Sequence, residues 1–430
     1  MSTPGLAPRL AAHRILSDVA RGRPFDHALD RNLATLGEDD RRLAHELAAG
    51  VLRHRLRLDT LLAPHIPRGI DGVQAALRDV LRLGAYQLDA LDRVPAHAAV
   101  DTSVSLARAV AGVKATGFVN AVLRKVAVTM SREHAIAESP APTPSSHPAW
   151  LAERWQARFG PEEAAALMAW NDTPPPLILQ PARWSAEELE ASWAQTGIDV
   201  HPAPYGAGFF TGARRPQELP GFEEGAFLVQ DPAQALVVQY WDVPAGAIVY
   251  DACAAPGGKA ITMGRTAGAV VAADRSRDRV RRLAENLARA GSGREHAVIA
   301  DALNPPVRPC DVVVLDVPCL GTGTLARHPD ARWRVTPEAL DALAREGAVL
   351  LAALAERVRP GGLLLYASCS LEPEENDRQV DKFLAAQPDF RREPGTSVPA
   401  DLLDSRGDLM ILPQRHGMDG AYAARLRRVP

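Results

Sequence analysis

The sequence predicts a multidomain protein in which an all-α domain and a small α+β domain precede a doubly wound, Rossmann-like α/β domain. Three observations support this order. The first third shows helical periodicity, a proline-rich segment follows it, and the last part alternates short apolar runs with helices. We expect the all-α domain at 1–137, a linker at 138–148, the α+β domain at 149–225 and the α/β domain at 226–430.

The all-α domain is predicted from apolar residues at helical spacing. Leu43, Leu47 and Val51 recur every four residues behind an acidic run at 38–40, which suits a helix N-terminus. The segment 119–126 repeats the pattern, and no convincing strand precedes residue 145. We therefore expect helices throughout this domain.

Positive charge is concentrated in the same region. Residues 1–134 contain 19 Arg and Lys against 14 Asp and Glu, although the net charge of the whole chain is −3. This excess favours RNA as a partner, and solvated helix faces are the alternative interpretation. The candidate phosphate contacts are Arg53, Arg55, Arg57, Arg124 and Lys125.

The linker and the middle domain follow from a change of composition. "ESPAPTPSSHP", at 138–148, contains four prolines and three serines, which cannot continue a helix. Beyond a further helical stretch, two strands are expected near 177–180 and 206–211, with a helix at 185–196 between them. This pattern predicts a small α+β domain.

The α/β domain is predicted from five short apolar runs, the composition of strands that are covered on both faces. Helices lie between them, and Thr336 followed by Pro337 suits the start of the longest. The runs are "AIVYD", "VVAAD", "HAVIAD", "DVVVLD" and "GLLLYAS". Because ligands bind beyond the carboxyl ends of such strands, we look for a site where these runs end.

The first run leads into "DACAAPGGKA", whose small residues favour close approach of a ligand. The loop lacks both the G-x-G-x-x-G fingerprint and the Ser or Thr of a P-loop, so we expect a nucleoside-containing ligand that needs no polyphosphate. Asp274 is placed to accept from ribose hydroxyls, and Asp301 could reach an adenine amino group; capping of the next helix is the alternative role of each. The candidate binding residues in the loop are Cys253, Ala254, Ala255, Pro256, Gly257, Gly258 and Lys259.

The chain has four cysteines and no C-x-x-C pair, which favours neither a metal site nor a structural disulfide. Most such cysteines are small buried hydrophobes. Cys319 and Cys369, however, end the fourth and fifth runs, and adjacent parallel strands would bring both thiols over one pocket.

Two thiols beside a bound methyl donor suit the methylation of a pyrimidine carbon. C5 of cytosine becomes nucleophilic only after a nucleophile has added to C6, and sulfur is good at both the addition and the later elimination. Asp316 could share a proton with N3, and Lys259 could hold Asp316 or favour a thiolate. The residues alone leave open which cysteine attacks.

Several segments together resemble one family: "DACAAPGGKA", "VVAADRS", "LDVPCLGTG", "YASCSLEPEEN" and "LPQRHGMDGAYAARL". They are similar to the Sun/nucleolar-protein family of RNA cytosine-5 methyltransferases. The helical first third, closing with "GFVNAVLRKV", resembles the NusB-like domain of its bacterial small-subunit ribosomal RNA methyltransferase B branch.

The resemblance implies a class I methyltransferase domain, an RRM-like middle domain and small-subunit ribosomal RNA as substrate. It also implies S-adenosylmethionine as donor, bound by the loop from Cys253 to Lys259 with Asp274, Asp301 and Asp316. In the family pattern the residue at Cys369 attacks C6, and the residue at Cys319 assists proton removal and product release.

This sequence departs from the family pattern at two positions. Leu320 stands where a serine is usual, which removes a hydroxyl from a possible contact to the base or the RNA backbone. Ser368 stands where a threonine is usual, and it keeps the hydroxyl.

The sequence leaves two other functions open. A transfer-RNA cytosine-5 methyltransferase is the alternative within the enzyme class, and an RNA-binding or antitermination factor without catalysis is the alternative outside it. The N-terminus has no signal-peptide core, and the longest apolar run is too short to span a bilayer, so we expect a cytoplasmic protein that does not bind a membrane. We also expect a monomer without a bound metal.

Overall fold

The computed structural model describes residues 5–136, 145–212 and 215–430. Most of the predicted linker, 138–144, lies outside the described residues. The chain forms two compact units, one of residues up to Thr173 with Leu325–Arg334, and one of Pro174–Thr324 with Val335–Pro430.

All regular elements described in the first unit are helices, as the sequence predicts. Their apolar faces meet in a core where Ile15, Leu47, Leu83 and Val119 are completely buried. The helices are α1 (Leu6–Ala20), α2 (Phe25–Leu33), α3 (Glu38–Arg53), α4 (Arg55–Leu62), α5 (Ala75–Ala90), α6 (Ala96–Ala111), α7 (Val113–Ile136), α8 (Ala149–Phe159) and α9 (Pro161–Asn171).

The second unit begins with a small antiparallel sheet and one helix. Trp193 of the helix packs edge-on against Phe209 and Phe227 of the sheet, and all three side chains are buried. The strand order is β2-β3-β1-β4. The elements are β1 (Leu177–Pro181), α10 (Ala186–Gln195), β2 (Val200–Pro202), β3 (Phe209–Thr211) and β4 (Phe227–Val229).

The compact units divide the chain at other points than the limits expected for the middle domain, 149–225, which stay a prediction. Helices α8 and α9 belong to the first unit. Strand β4 pairs with β1 and lies beyond residue 225, so the small sheet continues past the predicted boundary. Strands β2 and β4, of three residues each, were not predicted from the sequence.

The rest of the second unit is an α/β domain with a mixed sheet. Strands β5 to β9 are parallel, as predicted, and β10, β11 and β12 extend the sheet in the antiparallel sense. The elements are α11 (Pro232–Trp241), β5 (Ile248–Asp251), α12 (Gly258–Gly264), β6 (Ala269–Asp274), α13 (Arg277–Ala290), β7 (Glu295–Ile299), β8 (Cys310–Asp316), α14 (Pro337–Ala355), β9 (Val358–Ser368), α15 (Asp377–Ala386), β10 (Phe390–Arg392), β11 (Leu409–Ile411), α16 (Pro413–His416) and β12 (Ala421–Arg428).

The strand order places a reversal of direction beside β5. The order is β10-β12-β9-β8-β5-β6-β7, and β11 pairs with β12. From β5 the chain therefore builds outward through β6 and β7, then returns to the other side with β8 and β9. The carboxyl ends of β5 and β8 flank this reversal, which is where doubly wound sheets hold ligands.

Candidate active site

A cavity of about 510 Å³ opens at the carboxyl ends of the parallel strands. Its acidic side comes from three carboxylates at strand ends, and Leu303, Val349 and Leu350 give it an apolar side. The sequence-predicted residues in its wall are Cys253, Ala255, Asp274, Asp301, Asp316, Cys319 and Cys369. Sequence reasoning did not single out the other lining residues, Ala252, Arg275, Arg279, Ala302, Leu303, Val317, Pro318, Glu346, Val349 and Leu350.

The glycines of the loop after β5 face protein atoms. Gly257 has a φ of 112°, and a Cβ built there would lie 2.8 Å from Leu283 Cδ1. A Cβ on Gly258 would lie 2.7 Å from Gln230 Nε2. Both glycines therefore let the loop pack closely against the protein, a role that differs from the ligand approach expected from sequence.

Two further loop residues are held by hydrogen bonds. The Ala254 amide donates to the Ala273 carbonyl across 2.8 Å, and the Pro256 carbonyl accepts from Asn286 Nδ2 across 2.9 Å. These bonds tie the loop to the end of β6 and to α13. They fix the wall that Cys253 and Ala255 present to the cavity.

Asp274 and Asp301 differ in how they are held. Asp274 is buried, accepts from the Ser276 amide across 2.9 Å and pairs with Arg279 across 3.2 Å. Asp301 is exposed and accepts from the Leu303 amide across 3.0 Å. Each carboxylate thus fixes its own turn and still borders the cavity, so capping and ligand binding are compatible.

Lys259, Asp316 and Asp251 form a charged group beside the cavity. Lys259 Nζ donates to Asp316 Oδ2 across 2.7 Å and also to Gln234. Asp251, 1% exposed, was not predicted as a site residue, and its Oδ1 has no hydrogen-bond partner among the described residues. Burial and the nearby Asp316 raise the pKa of Asp251 to about 7, so this carboxyl exchanges its proton near neutral pH.

The two candidate thiols are in contact. Cys319 Sγ and Cys369 Sγ lie 3.4 Å apart, because β8 and β9 are adjacent parallel strands with Asp316 in register with Ala367. The hydrogen bond to Cys369 and burial raise the pKa of Cys319 well above that of an ordinary thiol. Cys319 is therefore a neutral thiol at physiological pH.

The loops that bear the thiols are joined by a buried polar network. The Gly323 amide donates to the Cys369 carbonyl across 2.9 Å, and the Leu371 amide donates to Thr322 Oγ1 across 2.8 Å. A Cβ on Gly323 would lie 2.7 Å from Gly420 Cα, so only glycine fits there. The "GTG" segment therefore allows the loop that bears Cys319 to pack closely on the loop that bears Cys369.

The two departures from the family pattern have different consequences. Ser368 donates to Asn376 Oδ1 across 2.5 Å, so its hydroxyl is part of the buried polar network. The Leu320 side chain is buried, and its amide donates to Glu375 Oε1 across 3.0 Å. Glu375 was also missed, since nothing in "EPEEN" shows which glutamate turns inward.

Three of the five arginine and lysine candidates for RNA contact are engaged within the helical unit. Arg53 is 5% exposed and donates to the Ala326 carbonyl across 3.2 Å, so little of its surface is open to a phosphate. Arg55 lies over the ring of Trp333, and Arg57 pairs with Asp89 across 2.7 Å. Arg124 and Lys125 are exposed on α7.

No helix in the part of the chain that the structure describes is long and apolar enough to cross a membrane. Likewise, no group of three or more His, Cys, Asp or Glu residues within the described ranges could hold a metal ion.

Family models match three parts of the chain. The model of 16S rRNA methyltransferase RsmB/F matches residues 240–427, and the model of the NusB family matches residues 6–128. A third model, of an RsmF/B-like, ferredoxin-like domain, matches residues 147–208.

Relatives align over nearly the full length. A probable ribosomal RNA small subunit methyltransferase B from Synechocystis is 35% identical over 98% of this chain and 100% of its own. A ribosomal RNA small subunit methyltransferase B from Pseudomonas putida is 34% identical over 98% of both chains.

Solved structures share the fold. The crystal structure of PH0851 has a TM-score of 0.81 at 22% identity and covers both chains completely. That of NSun6 from Pyrococcus horikoshii with SFG has a TM-score of 0.57 at 20% identity and covers 66% of this chain and 99% of its own.

Proposed function

The chain belongs to the ribosomal RNA small subunit methyltransferase B family, and we propose that it methylates C5 of a cytosine in small-subunit ribosomal RNA with S-adenosylmethionine as donor. One observation carries the proposal. Two thiols lie 3.4 Å apart in the wall of a cavity that also contains Asp316, which is paired with Lys259. This is the set of groups that a covalent route through C6 needs.

The cavity suits the proposed donor. Asp274 and Asp301 retain lone pairs for ribose hydroxyls and an adenine amino group, and Leu303 and Leu350 offer apolar surface to the adenine ring. Asp251 has a buried oxygen with no partner among the described residues, which would receive a donor group such as an ammonium. When bound, S-adenosylmethionine supplies an electrophilic methyl group.

The chain's own residues carry the remaining steps. The Cys369 sulfur forms a bond to C6 while Asp316 shares a proton with N3, which gives C5 the electron density it needs to take the methyl group. The C5 proton must then leave, and the C6–sulfur electron pair returns to Cys369. Cys319, held against Cys369 as a neutral thiol, gives its proton to the departing sulfur and takes up the C5 proton, so that both cysteines end as thiols.

The target cytosine must leave any base stack to reach Cys369. Exposed Arg124 and Lys125 on the helical unit are the proposed phosphate contacts that remain from the sequence analysis. Such contacts make RNA binding sensitive to salt, since each releases counterions.

The two cysteines can be told apart with denaturing gels after incubation with RNA and S-adenosylmethionine. We expect Cys369→Ala to lose turnover and form no adduct, and Cys319→Ala to trap a covalent RNA adduct. Cys310→Ala is a matched control, because Cys310 begins β8 at the opposite end from the site. An adduct with Cys369→Ala but none with Cys319→Ala would reverse the assignment.

Bisulfite mapping of RNA from cells with and without the gene tests the substrate. We expect one cytosine of the small-subunit ribosomal RNA to lose protection when the gene is absent. Loss of protection in transfer RNA alone would replace the proposed substrate by the alternative.

A further inference from the structure

A buried glutamate contacts the peptide that carries Cys319. Glu375 ends a short 3₁₀ turn, Pro373–Glu375, and is 2% exposed. Its Oε1 accepts from the amide of Leu320, the residue directly after Cys319, across 3.0 Å. Its own carbonyl accepts from the Tyr366 hydroxyl across 2.6 Å, which fixes the turn against β9.

The environment of this carboxyl favours its neutral form. Oε2 is buried and has no hydrogen-bond partner among the described residues. Burial raises the pKa of Glu375 to about 7, against the opposing effect of hydrogen bonds from Ser370 and the Leu320 amide, while Glu372 and Glu374 raise it further. A neutral carboxyl still accepts from the Leu320 amide, so the contact does not depend on ionisation.

The hydrogen bond from the Leu320 amide to Glu375 lies next to Cys319, whose position the reaction depends on. Cys319 must stay beside Cys369 through both halves of the reaction, and the backbone turns sharply at Gly321, whose φ is 69°. Network bonds hold the loop on the far side of this turn, at Thr322 and Gly323. On the near side, between Cys319 and the turn, the Glu375 bond to Leu320 holds the peptide.

We propose that Glu375 is a positioning residue for product release: its carboxyl holds the Leu320 amide and thereby keeps the Cys319 thiol beside Cys369. This inference rests on the proposed function, because it concerns the step assigned to Cys319. Loss of the contact leaves attack by Cys369 intact and slows release.

Two conservative variants separate the contact from the charge. Glu375→Gln keeps the reach and an acceptor oxygen but has no charge, whereas Glu375→Asp keeps the charge and withdraws the carboxyl by one methylene. Each is incubated with S-adenosylmethionine and small-subunit ribosomal RNA from cells that lack the gene. Turnover and the fraction of enzyme in covalent adduct are then measured beside the wild type and Cys319→Ala.

We expect Glu375→Asp to accumulate adduct and to lose about tenfold or more in turnover, and Glu375→Gln to behave nearly as the wild type. A merely structural defect would reduce adduct and turnover together. Either the reverse ranking of the two variants or turnover lost without adduct would overturn the inference.

The Cys319→Ala variant distinguishes a failure of the proposed function from a failure of the role proposed for Glu375. If Cys319→Ala traps no adduct, the covalent route is wrong and the role of Glu375 falls with it. If Cys319→Ala traps adduct and Glu375→Asp does not, only the role of Glu375 is wrong.

Discussion

At the scale of single residues, Lys259 determines the charge balance of the proposed site. Its side chain is 10% exposed, and its ammonium lies 2.7 Å from Asp316 and also acts on the pKa of buried Asp251. Lys259→Met removes the charge and keeps much of the volume. Asp316 then loses the hydrogen bond that holds its carboxyl beside the cavity.

We therefore expect Lys259→Met to lower the methylation rate in single-turnover experiments by about 10²-fold or more, with little change in RNA affinity. Lys259→Arg, which keeps the charge, is the control and should lose less. A Met variant as fast as the wild type would show that the ammonium has no part in the reaction.

Glu375 also predicts how stability depends on pH. Its pKa is about 7 in the folded protein, whereas an ordinary glutamate in the unfolded chain titrates at about 4.3. The folded state thus binds this proton more tightly. The contribution of Glu375 to the free energy of unfolding is therefore fully present below about pH 4 and is lost as pH rises through about 7.

The expected loss is about 3 kcal/mol between those limits. Glu375→Gln does not titrate, so its free energy of unfolding should fall less over this range than that of the wild type. Urea unfolding of both proteins at several pH values measures the difference, and parallel curves would contradict the assignment of this pKa.

Site residues could be predicted where they follow an apolar run. Asp316, Cys319 and Cys369 were found because a strand end is readable from sequence and parallel strands share one edge. Glu375 was not, because its bond to Leu320 joins residues 55 apart and depends on tertiary packing. For the same reason the burial of Arg53 could not be distinguished from the exposure of Arg124.

At the scale of elements, the five parallel strands of the α/β domain were predicted, and its antiparallel strands β10, β11 and β12 were not. Strand β12 reads "AYAARLRR" and so looks like exposed chain, yet it pairs with β9 inside the sheet. Two of its arginines, Arg427 and Arg425, pair with Glu393, whose pKa they lower to about 2. Polar residues at buried positions hide a strand when their partner is distant in sequence.

The helix of the small domain offers a test of local structure. Ser185 accepts from the Glu188 amide and Glu188 accepts from the Ser185 amide, a capping box at the start of α10. We expect Ser185→Ala to lower the free energy of unfolding of the small domain by about 1 kcal/mol. Ser192→Ala is the control: Ser192 lies inside the same helix and outside the capping box, so its loss should cost less, as measured by hydrogen exchange of α10. Equal effects would mean that the cap adds nothing.

At the scale of the whole molecule, a short piece of chain joins the helical unit from far along the sequence. Residues Leu325–Arg334 follow the Cys319 loop, yet they belong to the unit formed by the first 173 residues. The Phe25 amide donates to Asp330, and Trp333 Nε1 donates to the Leu52 carbonyl across 2.8 Å. The order of predicted domains along the chain could not show this, because it assumes that each domain is continuous.

Arg332 lies in that piece and makes several hydrogen bonds to the helical unit. Its side chain is fully buried, and its guanidinium pairs with Asp172 across 2.6 Å and donates to the carbonyls of Arg53, Ser146 and Asn171. Arg332→Ala leaves a half-buried carboxylate and three carbonyls without their donor, a kind of loss that costs about 3–5 kcal/mol.

We therefore expect Arg332→Ala to raise hydrogen exchange in Leu325–Arg334 together with α3 and α9, since one side chain bonds all three. Arg334→Ala is the matched control, because Arg334 is 44% exposed and pairs only with Asp330 among the described contacts, so it should have a much smaller effect. Faster exchange in Leu325–Arg334 alone would mean that the piece rests on the helical unit without stabilising it. Faster exchange in all three segments would mean that the helical unit depends on residues that follow it by more than 150 positions.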